Sequence, residues 1–137
     1  MPTALIIGAS RGIGRDFVRQ LRSAGWRVFA TARDDASLAA LKDEGAMPLK
    51  IDVTLAESLS ALPWQLDGEK LDLAVYVAGT MDRASTTTPP TRETFDRLMH
   101  TNVMGAAMAL PQIAPMLQEA HGTLVCISSV MGSQQET

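Results

Sequence analysis

The stretch Gly8-Ala9-Ser10-Arg11-Gly12-Ile13-Gly14 directly follows the apolar run Ala4-Leu5-Ile6-Ile7 and opens onto an amphipathic segment. A strand, a glycine turn and a helix in that order build an anion site. Glycines remove the Cβ atoms that would block close approach of a pyrophosphate, and a helix N-terminus presents unpaired N–H groups with partial positive charge. The segment therefore predicts a dinucleotide-binding turn near the start of the chain.

The rest of the sequence alternates short apolar runs with helical patterns, which predicts an α/β fold with a parallel sheet covered on both faces. Five strands are expected, at Ala4–Ile7, Arg27–Ala30, Pro48–Ile51, Leu71–Val77 and Thr123–Ser128. The first helix is placed over Ile13–Ala24, with Ile13, Phe17, Leu21 and Ala24 turned inward and Gly25 as its stop. A second is expected over Ala36–Glu44 with Leu38 and Leu41 inward, and a third over Ala56–Leu62, ending at Pro63. Thr91 reads as the N-cap of a long fourth helix with Glu93 in its first turn, which Pro111 and Pro115 should bend or restart. No repeat or linker divides the chain, so residues 1–137 are expected to form one nucleotide-binding domain.

Right-handed crossovers and a central first strand predict a doubly wound sheet of order 3-2-1-4-5. Ligands of such sheets bind beyond the C-terminal strand ends, where the winding reverses. Gly8, the Ala32-Arg33 turn, Asp52, Ala78-Gly79 and Ser128-Ser129 should then rim one crevice.

Charge narrows the ligand. A net charge of −3 argues against a nucleic-acid surface, which needs clustered excess Lys and Arg. A phosphate needs only local positive charge, and Arg11, Arg15, Arg19 and Arg22 offer it along the first helix, although most of them read as a solvated face. An NAD site ends its second strand with a carboxylate for the ribose hydroxyls. Here Ala32 stands at that point and Arg33 follows, while Arg11 adds a guanidinium inside the glycine turn; guanidinium forks suit phosphate oxygens, so the expected cofactor is NADP.

Other residue types contribute exclusions. Cys126 is the only cysteine and its apolar neighbours predict a buried, inert position. His100 and His121 lack metal-ligand spacing, so no metal is expected. Glu69, Asp67, Asp72 and Asp82 read as solvated loop or strand-end charges. No apolar run reaches the roughly 20 residues that cross a bilayer, and no charged-then-apolar leader opens the sequence, so a cytoplasmic location without membrane or nucleic-acid partners is expected.

The Gly-xxx-Gly-x-Gly spacing resembles the N-terminal motif of the short-chain dehydrogenase/reductase family. Arg33, Asp52-Val53, Ala78-Gly79, Asn102 with Gly105, and Ile127-Ser128-Ser129 fall in that family's order along essentially the whole chain. The resemblance implies a Rossmann-type fold and an NADP-dependent oxidoreductase that acts on a small carbonyl or alcohol substrate. It implies cofactor contacts from Gly8, Ser10, Arg11, Gly12, Ile13, Gly14 and Arg33, an adenine contact from Asp52 with Val53 contributing backbone, and a further contribution from Ala78 and Gly79. Tyr76 and Val77 stand where the family's turn has two asparagines.

Asn102 reads in two ways. Phe95 and Leu98 precede it at helical spacing, so it is either a satisfied core amide beside Gly105 or, by the resemblance, the asparagine that supports a proton relay. Ser128 and Ser129 end a strand and face opposite sides. Only the resemblance selects Ser129 as the serine that bonds substrate.

The family's tyrosine and the lysine four residues beyond it are not among these residues. Tyr76 is the sole tyrosine and Thr80 follows it at that interval. Relative to the family pattern the sequence therefore reads as C-terminally truncated, a cofactor-binding part expected to be nearly inactive alone. An exposed sheet edge and apolar surface would favour a homo-oligomer. Two other classes remain in view: a catalytically silent NADP-binding sensor or interaction protein, and a methyltransferase-like doubly wound domain, for which the basic turn after the second strand is a poor match.

Overall fold

The computed structural model describes residues 2–9, 12–52, 55–66, 69–77 and 92–127, with side chains at all of these except 56, 92, 94–106 and 127. Along the chain run β1 (Thr3–Ile7), α1 (Gly12–Ser23), β2 (Arg27–Ala32), α2 (Asp35–Asp43), β3 (Met47–Lys50), α3 (Ala56–Leu59), α4 (Leu62–Leu66), β4 (Leu73–Val77), α5 (Arg92–Ala120) and β5 (Thr123–Ile127). The strands form one sheet in the order β3-β2-β1-β4-β5, and every described pairing is parallel. This is the doubly wound, Rossmann-type order that the alternating sequence predicts.

Strand alternation sorts the core into two layers. Leu5, Ile7, Phe29, Leu49, Ala74 and Tyr76 pack with Leu59 of α3, Leu62 and Leu66 of α4, and Ala109, Ile113, Met116 and Leu117 of α5. On the other face Ala4, Ile6, Val28, Ala30, Ala32 and Val75 meet Val18 of α1 and Leu41 of α2. All five residues of β1 are buried, because a central parallel strand is covered on both sides.

Several local expectations are revised. The inward stripe of α1 is Gly14, Phe17, Val18 and Leu21, whereas Ile13 is 51% exposed and Ala24 lies beyond the helix. Ile13 stands at the very start of the helix, where the axis has just left the sheet. The third expected helix is two short ones, and Pro63 opens α4 rather than closing α3. Proline is well placed there, since first-turn N–H groups have no intrahelical acceptor.

Pro111 and Pro115 lie inside an uninterrupted α5. An interior proline costs roughly 3 kcal/mol, and burying a large apolar side chain contributes about 1.5–3 kcal/mol. Ile113, Met116 and Leu117, all buried between and beside the prolines, offset that cost and hold the helix on the sheet. Cys126 is exposed, contrary to the core position expected from its neighbours: β5 pairs only with β4 among the described strands and is covered less completely.

Candidate active site: the C-terminal rim of the sheet

The winding reverses between β1 and β4. From β1 the chain moves to β2 and β3 on one side, and then crosses to β4 and β5 on the other. The glycine turn leaves β1 at this point. Gly8 has φ 90° and Gly12 φ 64°, a backbone region that favours glycine.

The three glycines perform separate tasks. A Cβ on Gly8 would lie 2.8 Å from the carbonyl oxygen of Val77, so the missing side chain lets the turn pass against the end of β4. A Cβ on Gly14 would collide with the carbonyl oxygen of Gly8, so this glycine lets α1 rest directly on the turn. Around Gly12 nothing lies within 4 Å of the position a Cβ would take. That open space at the helix N-terminus is where an anion can approach backbone donors.

The first turn of α1 contains no acidic side chain, so its partial positive charge is uncompensated from within the helix. These features fit the phosphate end of a dinucleotide. Among the described residues no cluster of His, Cys, Asp and Glu is suited to a metal ion.

The turn is tied to β2 through a residue that the sequence reading passed over. Thr31, 1% exposed, accepts the N–H of Gly8 at its Oγ1 over 3.0 Å, and its carbonyl accepts the N–H of Ala9 over 2.9 Å. A hydroxyl among the apolar residues that follow Arg27 in β2 was the available signal. Arg33 is exposed immediately after β2 ends at Ala32, which is buried.

The acidic neighbour Asp34 is already engaged. Its side chain caps α2 by accepting from Ser37 N over 2.9 Å, and this bond holds its carboxyl below the ordinary carboxylate range. Asp52 follows β3 and is half-buried, its backbone braced by Ser58 Oγ at 2.8 Å and by the N–H of Leu55. The structure therefore brings Gly8, Gly12, Ile13, Gly14, Arg33 and Asp52 to the rim formed by the C-terminal ends of β1, β2 and β3. Ser10, Arg11, Val53, Ala78, Gly79, Ser128 and Ser129, and the expected cap Thr91, lie outside the described residues; Asn102 falls within α5, with its side chain outside them.

The other arginines of α1 serve structure. Arg15 and Arg19 converge on Glu44, with Arg19 Nε 2.9 Å and Arg15 Nη2 3.3 Å from its Oε2. Partial burial pushes the Glu44 carboxyl up, but the hydrogen bonds from Arg19 and Arg15 outweigh it and leave the group below its ordinary pKa. Arg22 donates from Nη1 to the carbonyl of Trp26 over 2.8 Å. The solvated positive face expected of this helix is thus largely a set of clamps joining α1 to the end of α2 and the start of β2.

A parallel sheet wound in this order, with a glycine turn at its switch point, is the architecture of Rossmann-type α/β proteins. The sequence model of the family described as short chain dehydrogenase matches residues 2–137, and the chain belongs to that family. It is 38% identical over 142 residues to an uncharacterized oxidoreductase of Myxococcus xanthus, covering 95% of this chain and 54% of that protein. It is 33% identical over 138 residues to the NADPH-dependent pterin aldehyde reductase of Arabidopsis thaliana, covering 95% of this chain and 57% of the relative. Among solved structures, the RhlG/NADP active-site complex of Pseudomonas aeruginosa superposes with a TM-score of 0.76 at 28% identity, over 96% of this chain and 56% of the other. The chain spans about half the length of these relatives.

Proposed function

We propose that the chain is the NADP-binding part of an oxidoreductase acting on a carbonyl or alcohol substrate. The observation that carries this reading is the glycine turn, packed against β4 at Gly8 and against α1 at Gly14, with open space at Gly12. The NADP complex of a related structure and the NADPH dependence in a relative's name support the same cofactor.

In this reading residues 1–137 act as one nucleotide-binding unit. Backbone donors of the turn and the α1 N-terminus hold the pyrophosphate, with Ser10 and Ile13 lining the approach. Arg33 and Arg11 hold the 2′-phosphate of the adenosine, where guanidinium forks match phosphate geometry. Asp52 accepts from the adenine amino group, Val53 contributes backbone, and Ala78 and Gly79 flank the nucleotide beyond β4. The bound nicotinamide supplies or accepts the hydride. Ser129 orients the substrate oxygen by a hydrogen bond and Asn102 steadies the water-linked proton path. Tyr76 does not donate the proton: it is 4% exposed within β4, and burial pushes its phenol above the ordinary value, with Cys126 adding to the rise. A preparation of these residues alone binds nucleotide and turns over weakly, since a positioned general acid is worth about two to four orders of magnitude in rate.

Calorimetric titration with NADPH and NADH tests the reading. NADPH is expected to bind about ten- to a hundredfold more tightly than NADH, the span of one charge-assisted hydrogen bond. Equal affinities would remove the arginine argument, and binding of neither nucleotide would overturn the proposal.

A further inference from the structure

We infer that Thr31 is a positioning residue for the nucleotide, setting through its hydroxyl the place of the glycine turn and of the α1 N-terminus. The inference rests on the nucleotide-binding reading above and extends it to a residue that touches no ligand.

The contacts form a short chain. Thr31 Oγ1 accepts the Gly8 N–H at 3.0 Å, and the Thr31 carbonyl accepts the next N–H, that of Ala9, at 2.9 Å. Gly8 has left the regular strand at φ 90°, so without the hydroxyl its N–H would lack this partner in a partly buried place. On its other flank Gly8 lies against the Val77 carbonyl, where even a Cβ would come within 2.8 Å. Its own carbonyl oxygen is the atom on which Gly14 of α1 rests. The nearest atom in each contact beyond Gly8 is main chain, with the Val77 Cβ next at 3.5 Å, and no flexible side-chain end absorbs a displacement there.

A shift of Gly8 is therefore passed to the N-terminal end of α1. Close-packed interiors transmit such shifts rather than absorb them. The choice of threonine follows from the same geometry. Valine would meet the needs of a buried β-strand position equally well, being β-branched and of like size, but it offers no acceptor.

Because the pyrophosphate is common to NADPH and NADH, the hydroxyl should matter equally for both. Arg33, by contrast, acts only on the 2′-phosphate. Thr31→Val is expected to weaken NADPH and NADH about tenfold each, equivalent to about 1.4 kcal/mol, with their ratio unchanged. Thr31→Ser, which keeps the oxygen, is expected to stay within about twofold of the parent for both. Amide hydrogen exchange, read at Gly8 without nucleotide, should be faster in Thr31→Val than in the parent and in Thr31→Ser.

Unaltered affinity and exchange in Thr31→Val would overturn the inference. So would equal weakening in the valine and serine variants, or a changed NADPH-to-NADH ratio in the valine variant. If the parent bound neither nucleotide, the functional reading would fail by itself, and the exchange at Gly8 would still decide whether the hydroxyl holds the turn.

Discussion

The two rims of the parallel sheet handle charge and backbone polarity differently. At the N-terminal rim, Arg27 and Glu69 form a two-pronged ion pair with both N–O distances at 2.9 Å. Asp72 ties three strands together: its Oδ2 accepts the Thr3 N–H, its own N–H donates to the Thr3 carbonyl, and its carbonyl accepts from Thr123. Gly122 lets β5 begin directly against the carbonyl of Leu71. At the C-terminal rim the backbone instead turns through positive φ at Gly8 and Gly12, Arg33 is exposed, and the start of α1 holds no carboxylate. Among the described residues, side chains at the first rim join strand to strand, whereas at the second Lys50 pairs with Asp35 of α2 over 3.2 Å and Arg33 stands exposed.

The difference follows from the direction of the strands. In a βα unit the helix begins where the strand ends, so the positive helix ends of parallel units gather at the C-terminal rim. Anion binding belongs there by construction. The opposite rim receives helix C-termini and strand starts, and its ionisable groups can be spent on joining strands.

Substitutions at each rim should separate the two roles. The largest effect is expected for Gly14→Ala, whose new methyl meets the Gly8 backbone rather than a yielding side chain. Overpacking of this kind costs roughly 1–3 kcal/mol, and displacement of the helix end should lower NADPH affinity by about a hundredfold or more. Thermal unfolding and calorimetry on the same sample would register both. A variant that binds NADPH like the parent would contradict the close-packed turn.

Arg33→Ala comes next. NADPH affinity should fall about ten- to a hundredfold while NADH affinity and melting temperature stay close to the parent values. A parallel loss of NADH affinity would mean that Arg33 supports the rim rather than the 2′-phosphate.

Glu69→Gln should behave in the opposite manner. It removes a partly exposed ion pair, so a loss of about 0.5–1 kcal/mol in stability is expected, with nucleotide affinity untouched. A change in NADPH binding here would break the contrast between the rims.

The smallest effect concerns acid. The hydrogen bond from Arg27 outweighs the opposing effect of burial, and with the arginine's charge it holds the Glu69 carboxyl below its ordinary pKa of 4.5. A carboxylate with a lowered folded-state pKa contributes stability fully above the unfolded value, and that contribution is lost as pH falls through the folded one. The difference in melting temperature between the parent and Glu69→Gln should therefore shrink from about pH 5 to about pH 3. A difference that grew with acidification would contradict the ion pair.

Legibility of the molecule in its sequence varied with the range of the forces involved. The strand order and the glycine turn could be read because both follow from local patterns: apolar runs of strand length, glycines at fixed spacing, and an amphipathic helix after them. Gly8 and Gly14 carried the site in the same way. Glu69 and Asp72 do lie in a loop and at a strand end as read, but their partners, Arg27 and Thr3, were not legible because only the parallel pairing brings them near. Arg15 and Arg19 were likewise assigned to a solvated face until Glu44 arrived from the end of α2.

The sequence by itself determined the α/β class, the winding and the position of the turn, since periodicity and glycine spacing act within a few residues of the chain. Tertiary structure alone decided which charges clamp the helices, why α5 passes through two prolines, and that Thr31 reaches the turn. Those outcomes depend on contacts between residues far apart in the chain, such as Thr31 and Gly8 across two strands. Local propensity carries no record of such partners, and packing selects them only when the sheet has formed.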